Sequence, residues 1–473
     1  MKCPQIKIST FLKGTVFFSL FTVFFVFQSC SPKVAKVDLP YDSLESFTVS
    51  GDSLQPDRWW TAFNDDTLNI LIDSALEDNL SLKTVWYQLI ESRASVAVVN
   101  AGVLPQIDLQ LRSGISRPEP DFVGGENTQL SLGANYELDL WGRIRYSIHA
   151  EEYRFKASYY DYKTAAITLS SQITLNWFRL KAWNQQYKLI KNQIATNEKV
   201  LALIRARFAS GQVKGVDILR QKQLIESTKA QKVFIETQIY TLQNQLSVLL
   251  GQPPEGTVDS ISSSLPELPE LPSTGVPLKL VNRRPDVQSA YFNLQASDRD
   301  LAAAISNKYP RLQFSLTAAI RSNTFENLFQ NQAVAVTGSL LAPLFYGGRL
   351  QAEVDRNEAV RQQQVNNYAN VVLTAFQEIE NSLIREQKQI ENISLIENQI
   401  DLLQKTIGQL RYEYLNGSLP YLDVLVAINQ EQQLRRDLIN AKLQLLEIRV
   451  GLYRALAGGF ETDRESELEE EQL

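Results

Sequence analysis

Four short stretches of the chain alternate apolar and polar residues with a period of two. They run over Ile107–Leu111, Leu130–Leu138, Leu312–Ile320 and, more weakly, Val334–Leu340. Such alternation predicts β-strands that have one apolar and one polar face. Runs of about ten residues fit strands that cross a membrane, although half-buried strands of a soluble sheet would show the same pattern.

Two much longer stretches predict helices. Neither Arg143–Ser210 nor Leu350–Thr406 contains a proline or glycine, and the first glycine after the second stretch is Gly408. The first helix would then be on the order of 100 Å long. After each stretch, apolar residues recur in steps of four and three, which is typical of a coiled-coil seam. The polar residues between them predict that these helices stand in water. The seam residues are Ile235, Ile239, Leu242, Leu246 and Leu249 in the first half, and Ala441, Leu445, Ile448, Leu452 and Ala455 in the second.

The two halves of the chain repeat one another in order. The stretch around Arg143, LDLWGRIR, matches PLFYGGRLQ around Arg349, and the offset between the halves holds to within one residue. This constant offset indicates a duplication of roughly two hundred residues. The other matched pairs are Pro105 with Pro310, Gly211 with Gly417, Asp217 with Asp423, Leu246 with Leu452, and Leu250 with Leu456.

One phrase of the repeat combines a glycine with an aspartate. It reads FASGQVKGVDIL in the first half and LNGSLPYLDVL in the second. A glycine at the end of a long helix supplies the left-handed turn that reverses the chain, so Gly211 and Gly417 predict the tips of two helical hairpins. Asp217 and Asp423 then fall at the start of each returning helix, where a carboxylate is favourable on helix-dipole grounds alone.

The composition leaves little room for enzyme chemistry. The 473-residue chain has a single histidine, His149, and only two cysteines, Cys3 and Cys30. A metal site built on histidine or a histidine-dependent triad would have to rely on His149 alone. Catalysis by carboxylates alone is the open alternative, but no local motif points to it. The formal net charge of -6 argues against nucleic acid as a partner. We therefore expect a protein that is not an enzyme and needs no cofactor or metal.

The N-terminus has the features of an export signal. Three lysines precede the apolar run Val16–Phe27, which is too short for a spanning helix and is followed by Gln28, Ser29 and Cys30. This pattern predicts a signal peptide over residues 1–29 and a lipid anchor on Cys30, as in bacterial lipoproteins. A soluble-type signal cut nearby, with Cys30 left as a free thiol, is the alternative.

Export and the long helices together favour membrane strands over a soluble sheet. Trp141, Tyr309, Phe345 and Tyr346 would then form an aromatic belt at one interface. Four strands cannot close a barrel, and lipid does not tolerate open sheet edges. Several copies must therefore share one barrel, and the pattern leaves open how many.

The predicted fold is mainly α, with long antiparallel coiled-coil helices and four β-strands per chain. Its predicted parts are a signal peptide (1–29), a lipid-anchored segment with a first helix (30–103), strands 1 and 2 (104–140), a first helical hairpin (141–251), a proline-rich connector (252–285), a helix (286–308), strands 3 and 4 (309–345), a second helical hairpin (346–458) and an acidic tail (459–473).

Taken in order along nearly the whole mature chain, these features resemble the TolC-type outer-membrane factor family, particularly its lipoprotein branch. The phrases that carry the resemblance are WWTAFNDDTLNILIDSALEDNLSL, the two proline-led strand starts, NRRPDV and the two tips. The resemblance implies three chains that build a twelve-stranded barrel in outer-membrane lipid, above a periplasmic α-barrel. It also implies a periplasmic adaptor and an inner-membrane transporter, usually of the resistance-nodulation-division type.

The function implied is that of an outer-membrane channel in a tripartite efflux system for small molecules. A type I protein-secretion channel would share the fold, and a periplasmic coiled-coil scaffold lipoprotein is a further alternative. The scaffold would have no need of the four alternating runs.

The resemblance also suggests roles for residues at the tips. In the family, the second-half tip forms the periplasmic gate, and three copies of Asp423 would form an anionic ring there. Val426 stands where the family often has a second aspartate, and Leu419 stands in place of a gating arginine. Apolar packing, with Tyr414 and Tyr421, would thus hold the gate. The residues expected to contact the adaptor are Gln212, Val213, Ser418 and Leu419, beside Gly211, Asp217 and Gly417.

Overall fold

The computed structural model describes residues 47, 51, 57–115, 126–254, 264–273, 283–322, 332–457 and 459–465. The predicted signal peptide, Cys30, parts of the connector and most of the acidic tail lie outside these residues. After a 3₁₀ turn at Trp59–Phe63, the elements are α1 (Asp66–Asp78), α2 (Leu80–Asn100), β1 (Gln106–Ile115), β2 (Glu126–Leu138), α3 (Arg143–Ala209), α4 (Gly215–Leu249), α5 (Pro285–Ser306), β3 (Arg311–Ser322), β4 (Gln332–Leu341), α6 (Arg349–Leu415) and α7 (Tyr421–Leu456).

The two long helices, α3 and α6, have 67 residues each, which corresponds to roughly 100 Å. Gly408, the first glycine of the second stretch, does not interrupt the helix, because α6 continues through it to Leu415. A single glycine inside a helix costs only about 1 kcal/mol relative to alanine, and the residues on both sides of Gly408 favour helix. No helix within the described ranges is both long and apolar enough to cross a membrane.

The seams of the returning helices are buried to different degrees. In α4, Ile235, Leu242 and Leu246 are buried as expected. In α7 the predicted phase is only partly right, because Leu445 and Ile448 are half-buried whereas Leu446 and Val450 are buried. A coiled-coil seam packs against one neighbouring helix, whereas α7 contacts α3, α4 and α6. It therefore buries residues on more than one face.

The four strands form one antiparallel sheet in the order β1-β2-β3-β4. The register aligns the alternating residues in rows, so that Leu109 lies opposite Leu132 and Ala318 opposite Val334. One face of the sheet is consequently apolar, yet its side chains are exposed: Leu109 is 71% exposed and Val336 76%. Within the described sheet, β1 and β4 each pair with one strand only. In the part of the chain that the structure describes, an apolar face and two sheet edges are thus uncovered.

The described residues fall into two compact units. The first contains the sheet and the adjoining helix segments (Ile90–Ala157 and Tyr291–Tyr368), and the second contains the remaining helices. In the first unit, Trp141 stacks on Tyr309 with ring centroids 5.0 Å apart, and its indole N–H donates to the Pro310 carbonyl at 2.7 Å. These rings lie where β2 ends and β3 begins, and Phe345 and Tyr346 follow the end of β4. The predicted belt residues therefore share the helix-linked end of the sheet.

In the second unit, the WWTAFND phrase forms an aromatic and polar junction. Asp65 caps α1 by accepting from the Leu68 N–H, and it also accepts from the Trp177 indole at 2.8 Å and from Lys181 at 2.6 Å. Burial alone would raise the pKa of Asp65, but the hydrogen bonds from Lys181, Trp177 and Leu68 outweigh it and lower that pKa. The phrase thus fixes α1 to α3.

Candidate functional site

Each hairpin tip is closed by a glycine in the left-handed conformation. Gly211 has a φ of 76° and Gly417 a φ of 77°. After the first glycine, the Gln212 N–H donates to the Arg207 carbonyl at 2.9 Å, and after the second, the Ser418 N–H donates to the Glu413 carbonyl at 2.9 Å. With the bonds from the glycine N–H groups to Phe208 and Tyr414, this is the Schellman arrangement at the end of a helix. The duplicated phrase therefore encodes the same turn twice.

The two aspartates occupy equivalent backbone positions but different surroundings. Each is the third residue of its helix, α4 or α7. Asp217 is buried and forms an ion pair with Arg220 at 3.5 Å, whereas Asp423 is exposed. Of the two, only Asp423 is available to solutes in the single chain.

The candidate gate tyrosines lie against each other. The ring centroids of Tyr414 and Tyr421 are 5.5 Å apart, with the planes inclined by 55°. The Tyr421 hydroxyl donates to Oε1 of Gln221 at 2.6 Å, and that bond is buried. The Arg207 guanidinium lies 4.9 Å from the centre of the Tyr414 ring, within cation–π distance. The tyrosines of the second tip are thus in contact with both helices of the first hairpin.

The surroundings of both tyrosines raise the pKa of their hydroxyls. Burial raises the pKa of Tyr414 and, more strongly, that of Tyr421. The nearby Asp217 carboxylate raises both pKa values further, while Arg207 opposes the effect at Tyr414. Among the described residues, the Tyr414 hydroxyl and the Arg207 Nε have no hydrogen-bond partner although both atoms are buried. The junction therefore contains two polar groups whose burial is not compensated.

Apolar packing surrounds these polar contacts. The fully buried members of the cluster are Ile204, Ile407, Tyr421, Val424, Ala427 and Ile428. Val213 and Leu419, two of the predicted adaptor contacts, are half-buried against this cluster, whereas the other two, Gln212 and Ser418, are exposed. The structure thus divides the predicted tip residues into two that pack between the hairpins and two that face outward.

A buried polar seam between α3 and α7 was not predicted. Asn197 and Gln432 exchange side-chain hydrogen bonds at 3.1 and 3.4 Å, and Arg436 donates to Gln193 at 2.8 Å. Burial lowers the pKa of Arg436. Some polar residues of these helices are therefore buried between helices rather than exposed to water. Their spacing of four residues along one face of each helix was the available signal.

A second unpredicted contact holds the proline-rich connector. Arg449 is 1% exposed and forms two hydrogen bonds of 2.7 and 2.6 Å to the Glu386 carboxylate. Its remaining donors reach the carbonyls of Pro269 and Glu270. The described part of the connector is therefore fixed to α6 and α7 through one buried ion pair.

One cavity and its polar lining lie beside the sheet. A cavity of about 620 Å³ lies against the sheet, lined mainly by polar side chains such as Gln106, Asn135 and Ser315. Glu137, at its edge, is paired with Arg143 at 2.9 Å. Within the described ranges, no group of three or more acidic, histidine or cysteine side chains is placed to hold a metal ion.

Comparison with known proteins identifies the fold. The family model described as "Outer membrane efflux protein" matches residues 71–252 and 276–458, which are the two halves of the duplication. The chain belongs to this family. It is accordingly an outer-membrane efflux channel and not an enzyme, and the expected resemblance is confirmed.

Two curated relatives span almost the whole chain. The pyoverdine export outer membrane protein OpmQ of Pseudomonas aeruginosa is 27% identical over 466 residues, which is 94% of this chain and 98% of that protein. The cation efflux system protein CusC of Escherichia coli is 25% identical over 446 residues, covering 91% and 96% respectively. A solved structure of CusC superposes with a TM-score of 0.82 at 23% identity, over 91% of this chain and 100% of that one. The mainly helical fold with four strands per chain is thus confirmed.

Proposed function

We propose that three copies of this chain close a twelve-stranded barrel in the outer membrane and form one continuous export channel. The observation that carries this proposal is the uncovered sheet: Leu109, Leu132 and Val336 are exposed on its apolar face, and among the described strands β1 and β4 have no outer neighbour. Lipid would cover the apolar face, and pairing of β4 with β1 of the next copy would satisfy both edges. The α3/α4 and α6/α7 hairpins would continue the channel into the periplasm.

An arginine scan of the sheet tests this arrangement. Leu132→Arg and Leu316→Arg each place a charge on the apolar face and should cost about 2–4 kcal/mol near the bilayer midplane. The matched controls, Ser131→Arg and Thr317→Arg, alter the adjacent residues on the opposite face and should be tolerated. We would measure the yield of oligomer in outer-membrane fractions. Equal yields from all four variants would contradict the barrel.

The partners are proposed from the named functions of the relatives and from the exposed tip residues. Both relatives are named as export or efflux proteins, which supports a periplasmic adaptor and an inner-membrane transporter, with the resistance-nodulation-division type as the one to test first. The exposed tip residues Gln212 and Ser418 are suited to contact the adaptor. Co-purification of adaptor and pump with the wild-type chain, and their loss with Gln212→Arg and Ser418→Arg together, would support this assignment.

The periplasmic gate is proposed at the second tip. Asp423 is exposed at the start of α7, and three copies would bring three carboxylates around the channel axis. The contacts of Tyr414 and Tyr421 with the first hairpin would hold the tips closed. Since Leu419 packs into the apolar cluster, no ion pair at that position contributes.

The N-terminal anchor is proposed from the sequence alone. Acylation of Cys30 would add a lipid anchor to the barrel, and each buried methylene contributes about 0.8 kcal/mol. Mass spectrometry of the purified protein would show a mature N-terminus at Cys30 with its acyl chains. A mature N-terminus without Cys30, or an unmodified thiol, would contradict the assignment.

Deletion of the gene tests the transported cargo. For small-molecule efflux, the mutant should become sensitive to exported compounds, and the intact chain should restore resistance. The alternative, type I protein secretion, predicts instead that a secreted protein disappears from the medium while compound sensitivity stays unchanged.

A further inference from the structure

Two arginines occupy one row of the polar face of the sheet. Arg112 on β1 and Arg321 on β3 both lie opposite Gln129 on β2, so the three residues cross the sheet side by side. Both arginines are exposed, and Arg321 donates to the Gln129 side chain at 2.9 Å. Within the described residues, no carboxylate contacts either guanidinium. The row therefore carries two positive charges per chain that no carboxylate of the described residues neutralises.

The row lies at the end of the sheet remote from the helices. The strand ends that continue into helices are Gln106, Leu138, Arg311 and Leu341, and all four lie at the opposite end. Since the helices belong to the periplasmic side in the proposed function, the arginine row belongs to the outward mouth. The polar face, in a closed barrel, faces the lumen.

The rows below the arginines are made largely of short side chains. The next row is Gln110, Ser131, Ala319 and Ala333, and the one after it is Asp108, Gly133, Thr317 and Ala335. The long guanidinium side chains therefore extend further into the lumen than most of their neighbours. Among the described residues of the polar face, the carboxylate nearest in sequence to Arg112 belongs to Asp108. Asp108 is four residues away along β1, so the two backbone positions are about 13 Å apart.

We propose that the Arg112–Arg321 row forms a cationic ring at the outward mouth, which binds small anionic solutes as they leave the channel. The inference rests on the proposed trimer, in which two arginines per chain give six around the lumen. Guanidinium groups bind carboxylates and phosphates through paired, charge-assisted hydrogen bonds. Rings of arginine or lysine are one way in which pores select anions. The solutes that this ring would bind are therefore carboxylate- or phosphate-bearing compounds.

The test uses the full-length protein in planar bilayers, with tripolyphosphate as the probe. Because the long polar hairpins cannot cross the bilayer, they stay on the side of addition, and the arginine row faces the far side. Tripolyphosphate added to the far side should reduce the wild-type current. The double variant Arg112→Gln/Arg321→Gln should require at least about tenfold more of it, because each nearby charge contributes on the order of 1 kcal/mol even in high dielectric.

Two further variants separate charge from structure. Arg112→Lys/Arg321→Lys keeps the charges and should retain most of the block. Asp108→Asn removes the opposite charge from the same face and should strengthen the block or leave it unchanged. If the Gln double variant does not assemble, the two single Gln variants should each show an intermediate loss.

The outcomes distinguish this inference from the proposed function. A wild-type protein that assembles no channel would refute the channel itself. Channels with normal conductance, blocked equally in the wild type and the Gln double variant, would overturn the arginine ring and leave the proposed function standing. In a KCl gradient, a reversal potential that shifts toward the K⁺ equilibrium potential in the Gln double variant would support the ring independently.

Discussion

The hydroxyl of Tyr421, the first residue of α7, donates a buried 2.6 Å hydrogen bond to Gln221, which lies in α4 of the other hairpin. This bond connects two copies of the duplicated hairpin within one chain. Gln221 also links to the first long helix, because its amide donates to the Asn197 carbonyl at 2.8 Å. The contact is specific to the second half of the repeat, since the residue that matches Tyr421 at the start of α4 is Gly215.

Replacing Tyr421 by Phe should loosen the two tips. The substitution leaves Oε1 of Gln221 buried without its donor, which costs about 1–3 kcal/mol. If the closed gate depends on this contact, spontaneous openings in planar bilayers should become roughly 5 to 150 times more frequent. Tyr412→Phe is the control, because Tyr412 is 66% exposed. Wild-type closure in Tyr421→Phe would remove this bond from the gate.

Neutralising the two repeated aspartates should have unequal effects. Asp423→Asn removes an exposed carboxylate and should weaken block by a trivalent cation, added on the hairpin side, by about tenfold. Asp217→Asn alters a buried carboxylate paired with Arg220 and should leave that block unchanged. Equal cation block in the wild type and Asp423→Asn would show that Asp423 does not face the ion path.

Alanine at the tip glycines should destabilise each hairpin. Gly211 and Gly417 have φ values near +77°, where an L-residue costs roughly 1–2 kcal/mol. Gly408→Ala is the matched control, because Gly408 lies inside α6 with open space around it and should gain up to about 1 kcal/mol. Thermal unfolding of the purified oligomer would measure the loss of stability at the tips and the gain at Gly408. A lower unfolding midpoint for Gly408→Ala than for the wild type would contradict this account.

Removing Arg449 should affect stability far more than removing an exposed arginine nearby. Arg449→Met leaves the Glu386 carboxylate buried without its partner, which costs about 3–5 kcal/mol. Arg454→Met breaks an exposed ion pair with Glu378 and should cost less than about 1 kcal/mol. The double variant Arg449→Met/Glu386→Leu should recover part of the loss, because no unpaired charge then remains. Urea unfolding would rank the stabilities of the two single variants and the double variant. Similar midpoints for both single variants would refute a stabilising role for the Arg449–Glu386 ion pair.

Local patterns along the chain were sufficient for the elements and for the duplication. Alternation with period two identified the four strands, and the absence of proline and glycine identified α3 and α6, because both properties act on neighbouring residues. Gly211 and Gly417 were predictable for the same reason: a left-handed turn is a requirement of the local backbone. Gly408, however, shows that a glycine alone does not end a helix.

The tertiary structure decided which residues at equivalent positions of the repeat differ in burial, and which polar residues lie between helices. Asp217 and Asp423 share a helix position, but only the packing of the two hairpins buries the first and exposes the second. Likewise, Arg449 meets Glu386 and the connector across more than sixty residues of chain. Local patterns carry no information about such distant pairings, since burial and hydrogen-bond partners depend on which surfaces meet after the helices fold back.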